Sequence, residues 1–157
     1  MAFLFAGAAL LSNTTTPYPG AHTYDCVGLF GPTCQTVNPR WRHNLRVSWN
    51  TPWDVEFSAL WRFIGPVTLD GNSNDPTLGN GAFDAFDARL PGMNYLDLSA
   101  SWQVFRNLQL RAGANNVLDK DPPIVSANVA ASGAANSFPT YDQLGRQLYL
   151  AFTAKFQ

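Results

Sequence analysis

Charge is what this 157-residue chain has least of, with Asp, Glu, Lys and Arg together making up 13% of it, where a soluble domain averages roughly 25%. The 10 basic and 11 acidic residues leave a net charge of −1, so no basic field exists to draw nucleic acid or an anionic surface. No stretch approaches the roughly 20 consecutive apolar residues of a membrane-spanning helix, and mean hydropathy is slightly negative at −0.12. Histidine is scarce too: His22 and His43 are the only two, and neither stands in a metal-ligand spacing or beside a plausible nucleophile. No catalytic site, metal or cofactor is expected, and the chain does not read as an enzyme.

The remaining candidates for chemistry are weak. Asp70, Asp75, Asp84 and Asp87 share a Gly/Asn-rich stretch, but their spacing departs from the Asp-x-Asp-x-Asp-Gly pattern of a calcium loop. Asp119, Lys120 and Asp121 precede a Pro-Pro pair and read as a solvated loop. Cys26 and Cys34 lack the Cys-x-x-Cys pattern of zinc and redox motifs. In an oxidising compartment they would close a short loop as a disulfide; the alternative is two unpaired thiols.

What is abundant is aromatic: 13% of the residues, with five Trp and eleven Phe. These residues fall into period-two patterns. Trp53, Val55, Phe57, Ala59, Trp61 and Phe63 alternate with Asp54, Glu56, Ser58, Leu60 and Arg62. Trp41, Leu45, Val47 and Trp49 oppose Arg42, Asn44, Arg46, Ser48 and Asn50. Leu96, Leu98, Ala100, Trp102 and Val104 oppose Tyr95, Asp97, Ser99, Ser101 and Gln103. The alternation repeats through Leu108–Asn115 and through Gln147–Phe156. Residues 2–12, apolar on both faces, form the least regular strand. That opening lacks the basic start of a signal peptide and is read as a first strand.

The expected strands therefore run over about 2–12, 40–50, 53–64, 94–105, 107–118 and 143–156. Their connections alternate in length. Asn50–Pro52 and Phe105–Asn107 are tight turns, whereas the stretches near 13–39, 65–92 and 119–141 are long and rich in Gly, Pro, Asn, Asp and Ser. Loops of that length are uncommon in compact soluble domains, while short turns on one side and long loops on the other characterise outer-membrane barrels. Each strand has about the 9–11 residues that a tilted crossing requires. Trp49, Trp53 and Phe105 fall beside the short turns and Trp41, Trp61 and Phe63 toward the long loops, as two interfacial girdles would. The expected fold is all-β: an antiparallel up-and-down sheet of about six strands, forming the C-terminal segment of a transmembrane β-barrel. Residues 127–137 read as a flexible loop tip. The alternative is a soluble secreted or periplasmic β-sandwich acting as a binding module, with the aromatics packed between two sheets.

On the polar strand faces, Arg42, Arg46, Glu56, Arg62, Asp97 and Arg111 would turn toward a barrel interior, pairing with one another or lining a ligand path.

Several phrases, taken in order, resemble one family. Thr23-Tyr-Asp-Cys26-Val-Gly-Leu-Phe-Gly-Pro-Thr-Cys34, then Asn38-Pro-Arg-Trp-Arg-His43, Trp49-Asn-Thr-Pro-Trp53 and Trp61-Arg-Phe-Ile-Gly65, resemble a late extracellular loop and hairpin of TonB-dependent outer-membrane receptors. Gly113-Ala-Asn-Asn-Val-Leu-Asp-Lys-Asp-Pro-Pro-Ile124 and Phe138-Pro-Thr-Tyr-Asp-Gln-Leu-Gly-Arg146 resemble the approach to their last strand. Leu148, Leu150, Phe152 and Phe156 resemble their C-terminal assembly signal, although Gln157 makes the last aromatic penultimate.

The resemblance implies a barrel-wall fragment of a receptor for energy-coupled uptake of an iron chelate, vitamin or oligosaccharide, without the N-terminal plug and not transporting alone. It also implies location in the outer membrane of a Gram-negative bacterium, with the long loops extracellular and the C-terminus periplasmic. The implied partners are outer-membrane lipid, the rest of the barrel and plug, the barrel-assembly machinery, and TonB through the plug alone.

Overall fold

A computed structural model describes residues 1–129 and 136–155. Its centre is one six-stranded sheet in which every neighbour in space is a neighbour along the chain. The strands are β1 (Ala2–Ala9), β5 (Trp41–Asn50), β6 (Val55–Ile64), β9 (Met93–Phe105), β10 (Leu108–Asn115) and β11 (Gln147–Ala154), in that order across the sheet. All five pairings are antiparallel, giving the up-and-down meander that alternating connections of two lengths require. Five short strands belong to the long loops: β2 (Thr14–Thr15) pairs with β3 (Tyr24–Asp25), while β4 (Leu29–Phe30), β7 (Val67–Leu69) and β8 (Arg89–Leu90) form a second small sheet.

The register sorts side chains cleanly because Cβ atoms alternate between faces. Val47 lies opposite Phe3 on one side and Ala59 on the other; Ala59 then meets Leu98, Leu98 meets Ala114, and Ala114 meets Leu148. The next row runs Trp49, Phe57, Ala100, Ala112, Leu150. One apolar face thus extends unbroken over the strands, and it is uncovered: Phe3, Phe5, Trp49, Phe57, Leu98, Trp102, Leu148, Leu150 and Phe152 are all exposed. Among the described residues no second sheet packs on this face, as a β-sandwich would require.

Two glycines mark close approaches in the sheet. Tyr149 lies across the strand pair over Gly113, so that a Cβ there would meet its ring and would come within 2.7 Å of the Leu98 carbonyl oxygen. Trp41 covers Gly7 in the same way, 2.6 Å from where a Cβ would stand. An aromatic ring laid over a glycine restores the packing that the missing side chain would forfeit.

Five of the six sheet strands are shorter than expected, while β9 begins one residue earlier, at Met93. Trp53 and Asp54 belong to the turn, and β6 starts at Val55. The physical reason is the cap at Thr51, whose N–H and hydroxyl both donate to the Val55 carbonyl at 2.8 and 2.9 Å. Asp54 then takes φ +57°, a left-handed conformation that Asp tolerates in tight turns. At the other turn, Arg106–Asn107, a bulge between Leu108 and Gln109 shifts the register.

The hydrophobic core lies in the loops rather than in the sheet. Phe30 and Val37 from the first long loop, Val67, Leu69 and Leu90 from the second, and Val125, Val129, Phe138 and Tyr141 from the third pack together with Met93 and Tyr95 of β9. Each fully buried side chain of this size contributes about 1.5–3 kcal/mol, enough in sum to hold Gly- and Pro-rich segments in place. The core sits against the polar face, because Ile64, Met93 and Tyr95 share its parity. The three loops therefore fold inward across one end of the sheet. Of the segment 127–137, expected as a flexible tip, residues 130–135 lie outside the described residues, while Val129 and Ser137 at its flanks are buried.

Candidate functional site

Arg42, Arg46, Glu56, Arg62, Asp97 and Arg111 all fall on the polar face. Register places Arg46 opposite Leu60, Leu60 opposite Asp97, and both Glu56 and Arg111 opposite Ser101. Of the six, Arg62 and Asp97 are brought into an ion pair, with Arg62 Nε 2.7 Å from Asp97 Oδ2 and Nη2 2.9 Å from Oδ1. Arg46 instead donates to Ser58 Oγ at 3.1 Å. Arg42 lines a cavity with Ala6, Asn44 and Ile64. Among the described residues, Arg42, Glu56 and Arg111 have no ion-pair partner.

Arg62 has a second carboxylate partner that strand alternation does not reveal. Its Nη1 and Nη2 donate to Asp142 at 2.9 and 2.5 Å, and the guanidinium lies 5.0 Å from the centroid of the fully buried Tyr95 ring. Two bidentate pairs on one guanidinium are the arrangement its planar fork favours. Asp97 Oδ1 also accepts the Asn116 N–H at 2.8 Å. Tyr141, next to Asp142, is buried in the loop core, and burial raises its phenol pKa well above the ordinary value, with Tyr95 adding to the effect.

The phrase Asn115-Asn116-Val117-Leu118-Asp119 acquires a physical reading here. Asn116 is fully buried at φ +50°, its side chain donating to the Lys120 carbonyl at 2.9 Å and accepting the Lys120 N–H at 3.0 Å. Asp119, at φ +52°, accepts the Arg146 N–H at 2.8 Å. The motif terminates β10 and ties its end to the lead-in of β11.

Two further carboxylates join the loops. Asp70 is 1% exposed and accepts the N–H groups of Thr33 and Cys34 at 2.9 and 2.8 Å. Asp87 is 2% exposed and accepts the Ser126 N–H at 3.0 Å and its hydroxyl at 2.5 Å. Both belong to the acidic Gly/Asn-rich stretch, and both take backbone N–H donors, with Asp87 also accepting the Ser126 hydroxyl. No cluster of three His, Cys, Asp or Glu with metal-holding geometry occurs among the described residues. Asp84 closes its own turn, and Asp75 lies 3.3 Å from His22. The Thr77 N–H, more than His22, holds the Asp75 carboxyl below its usual pKa.

Cys26 and Cys34 are joined as a disulfide and pack with Tyr24, Leu29 and Leu78 in a second, smaller core. Leu148, Leu150 and Phe152 lie on the apolar face, exposed; Phe156 lies outside the described residues. Among the described residues no helix is long and apolar enough to cross a membrane.

Comparison with known proteins agrees with this geometry. Solved structures of ferric enterobactin receptors share the fold. One, the receptor PfeA in complex with BCV-L6, is 22% identical over 75% of this chain, with a TM-score of 0.57. A mutant of PfeA from Pseudomonas aeruginosa in complex with enterobactin gives the same values. Another mutant from that organism is 21% identical over 85% of the chain, with a TM-score of 0.58. The chain spans only 17% to 19% of the length of these receptors. No curated protein matches it. The family model described as "TonB dependent receptor-like, beta-barrel" matches residues 7–117, a family of receptors rather than enzymes. With well over half its length matched, the chain belongs to the TonB-dependent receptor β-barrel family.

Proposed function

We propose that this chain forms the C-terminal wall and part of the outer mouth of an outer-membrane receptor for energy-coupled uptake of a scarce nutrient: an iron chelate, a vitamin or an oligosaccharide. The observation that carries this reading is the uninterrupted apolar face, uncovered across six antiparallel strands, in a chain of this family. In such a barrel that face meets lipid, and Arg42, Arg46, Glu56, Arg62, Asp97 and Arg111 face the lumen. The long loops lie outside the cell and the C-terminus in the periplasm, where Leu148, Leu150, Phe152 and Phe156 serve as the assembly signal.

The edges of β1 and β11 pair with other strands of the receptor, because unpaired backbone groups in lipid cost several kcal/mol each. Six strands alone do not transport. The plug and, through it, TonB are partners of the whole receptor. Of the three nutrient classes, a ferric chelate is the first to test, given the fold likeness to ferric enterobactin receptors.

The test is uptake of labelled ferric chelates by cells carrying or lacking the full gene, with the TonB system intact or disabled. Accumulation should require both. Accumulation that persists without TonB, or recovery of the protein from the soluble fraction, would overturn the proposal.

A further inference from the structure

We infer that residues 137–142 form a strap across the polar face of the sheet, latched by Arg62 to Asp142, that narrows the outer mouth of the barrel; this rests on the assignment of that face to the lumen. Asp142 stands just before β11, at one edge of the sheet. A chain rising directly into β11 would keep Asp142 beside β10. Its carboxylate instead meets Arg62 on β6, three strands away, a distance of about 14 Å at the usual strand spacing.

Thr140 reaches farther still. It lines a cavity of about 400 Å³ together with Ala6 and Ala8 of β1, Arg42 and Asn44 of β5, and Ile64 of β6. Between these two points Tyr141 is buried in the core that includes Met93 and Tyr95, whose parity is that of the polar face. Tyr141 and Asp142 therefore contact that side of the sheet at β9 and β6, and Thr140 faces β5 and β1 across the cavity.

The strap is braced within itself. Gln143 donates to the Ser137 carbonyl at 3.0 Å, the Tyr141 N–H to the Phe138 carbonyl at 3.1 Å, and Ser137 Oγ to the Pro123 carbonyl at 2.8 Å. Its attachment to the wall through charge is Arg62 alone among the described residues. Four hydrogen bonds occupy that guanidinium, which fits it to hold chain rather than to take up a passing anion. Arg62 is thus a positioning residue for the strap.

The experiment uses the full receptor in outer-membrane vesicles, with spin labels at Ala8→Cys and Thr140→Cys; Cys26 and Cys34, being bonded, take up no label. One narrow, short distance is expected between the labels. Introducing Asp142→Asn should reduce that population by more than half and add longer distances, while heat-dependent gel mobility, a reporter of the folded barrel, stays unchanged. Arg62→Lys, which keeps the charge and loses the fork, should give an intermediate result. A long or broad distance in the parent protein would overturn the strap. A short distance unaltered by Asp142→Asn would overturn the latch. A separate label at Ala100→Cys, on the apolar face, tests the lumen assignment: relaxation by a water-soluble nickel chelate instead of lipid-dissolved oxygen would overturn that assignment whatever the distances are.

Discussion

The carboxylate of Asp70 accepts a 2.8 Å hydrogen bond from the backbone N–H of Cys34, in a different long loop. Gly31 makes this contact possible. It sits at φ +142°, and a Cβ there would collide with the Asp70 carboxylate. Hydrogen bonds to a charged acceptor contribute about 1.5–3 kcal/mol each, so Asp70→Ala, which loses two, should release the first long loop. Gly31→Ala should do the same by displacing the carboxylate. Limited proteolysis of the protein in detergent is the readout: cleavage within 20–37 should accelerate in both variants, and resistance equal to the parent would refute the account.

The disulfide stiffens the same loop. By the chain-entropy relation, a closed loop of this length contributes about 2–3 kcal/mol. Cys26→Ser with Cys34→Ser should lower the melting temperature of the loop region while leaving the six-stranded sheet intact. Circular dichroism and thiol labelling of envelope material check the two parts. Quantitative labelling of both cysteines in the parent protein would contradict the bond.

At Gly113 the space above the backbone is already filled by Tyr149. Gly113→Val should destabilise β10–β11 pairing by at least as much as a typical overpacking change, about 1–3 kcal/mol. Tyr149→Ala should cost less, since cross-strand pairs contribute about 0.2–1 kcal/mol. Denaturant titration of the receptor in detergent orders the two variants, and the reverse order would count against the ring-over-glycine packing.

Acid should loosen the turn at Asp75. Its pKa is depressed in the folded protein, mainly by the Thr77 N–H. A depressed carboxyl stabilises the fold above its unfolded pKa, near the ordinary value of 3.8, and that contribution is lost as pH falls through the lower folded value. Amide exchange at Thr77, corrected for the intrinsic pH dependence of exchange, should lose protection as pH falls below 3.8. Asp75→Asn should weaken that pH dependence.

Much of the wall is legible in the sequence because a period of two maps directly onto faces. Trp49, Phe57 and Ala100, far apart along the chain, share one row for that reason. The core built by the long loops is not legible in that way. Val37, Leu90 and Phe138 follow no period, and they gather only because three loops converge at one end. Tyr95 falls with Asp97 on the polar side by alternation, yet it is wholly buried, since the loop core covers that end of the face. Asp142 looks like a loop residue until the chain is seen to double back to Arg62. The cysteine pair is an exception: proximity in sequence and a loop-rich context suffice to suggest the bond that is present.

The meander also divides the contacts of the molecule by the length of chain they enclose. Within the six-stranded sheet each strand pairs with the sheet strand before or after it, so its contacts are hairpin contacts and make a low topological demand on the search. The ties made by the long loops behave otherwise. Cys34 waits for Asp70, Asp87 for Ser126, and Arg62 for Asp142, 80 residues later. Such contacts reward the chain only after the intervening loops have been confined. Removing Ser126 and Asp142 would therefore spare every pairing of the six-stranded sheet and undo two of the ties that bind one long loop to another part of the chain.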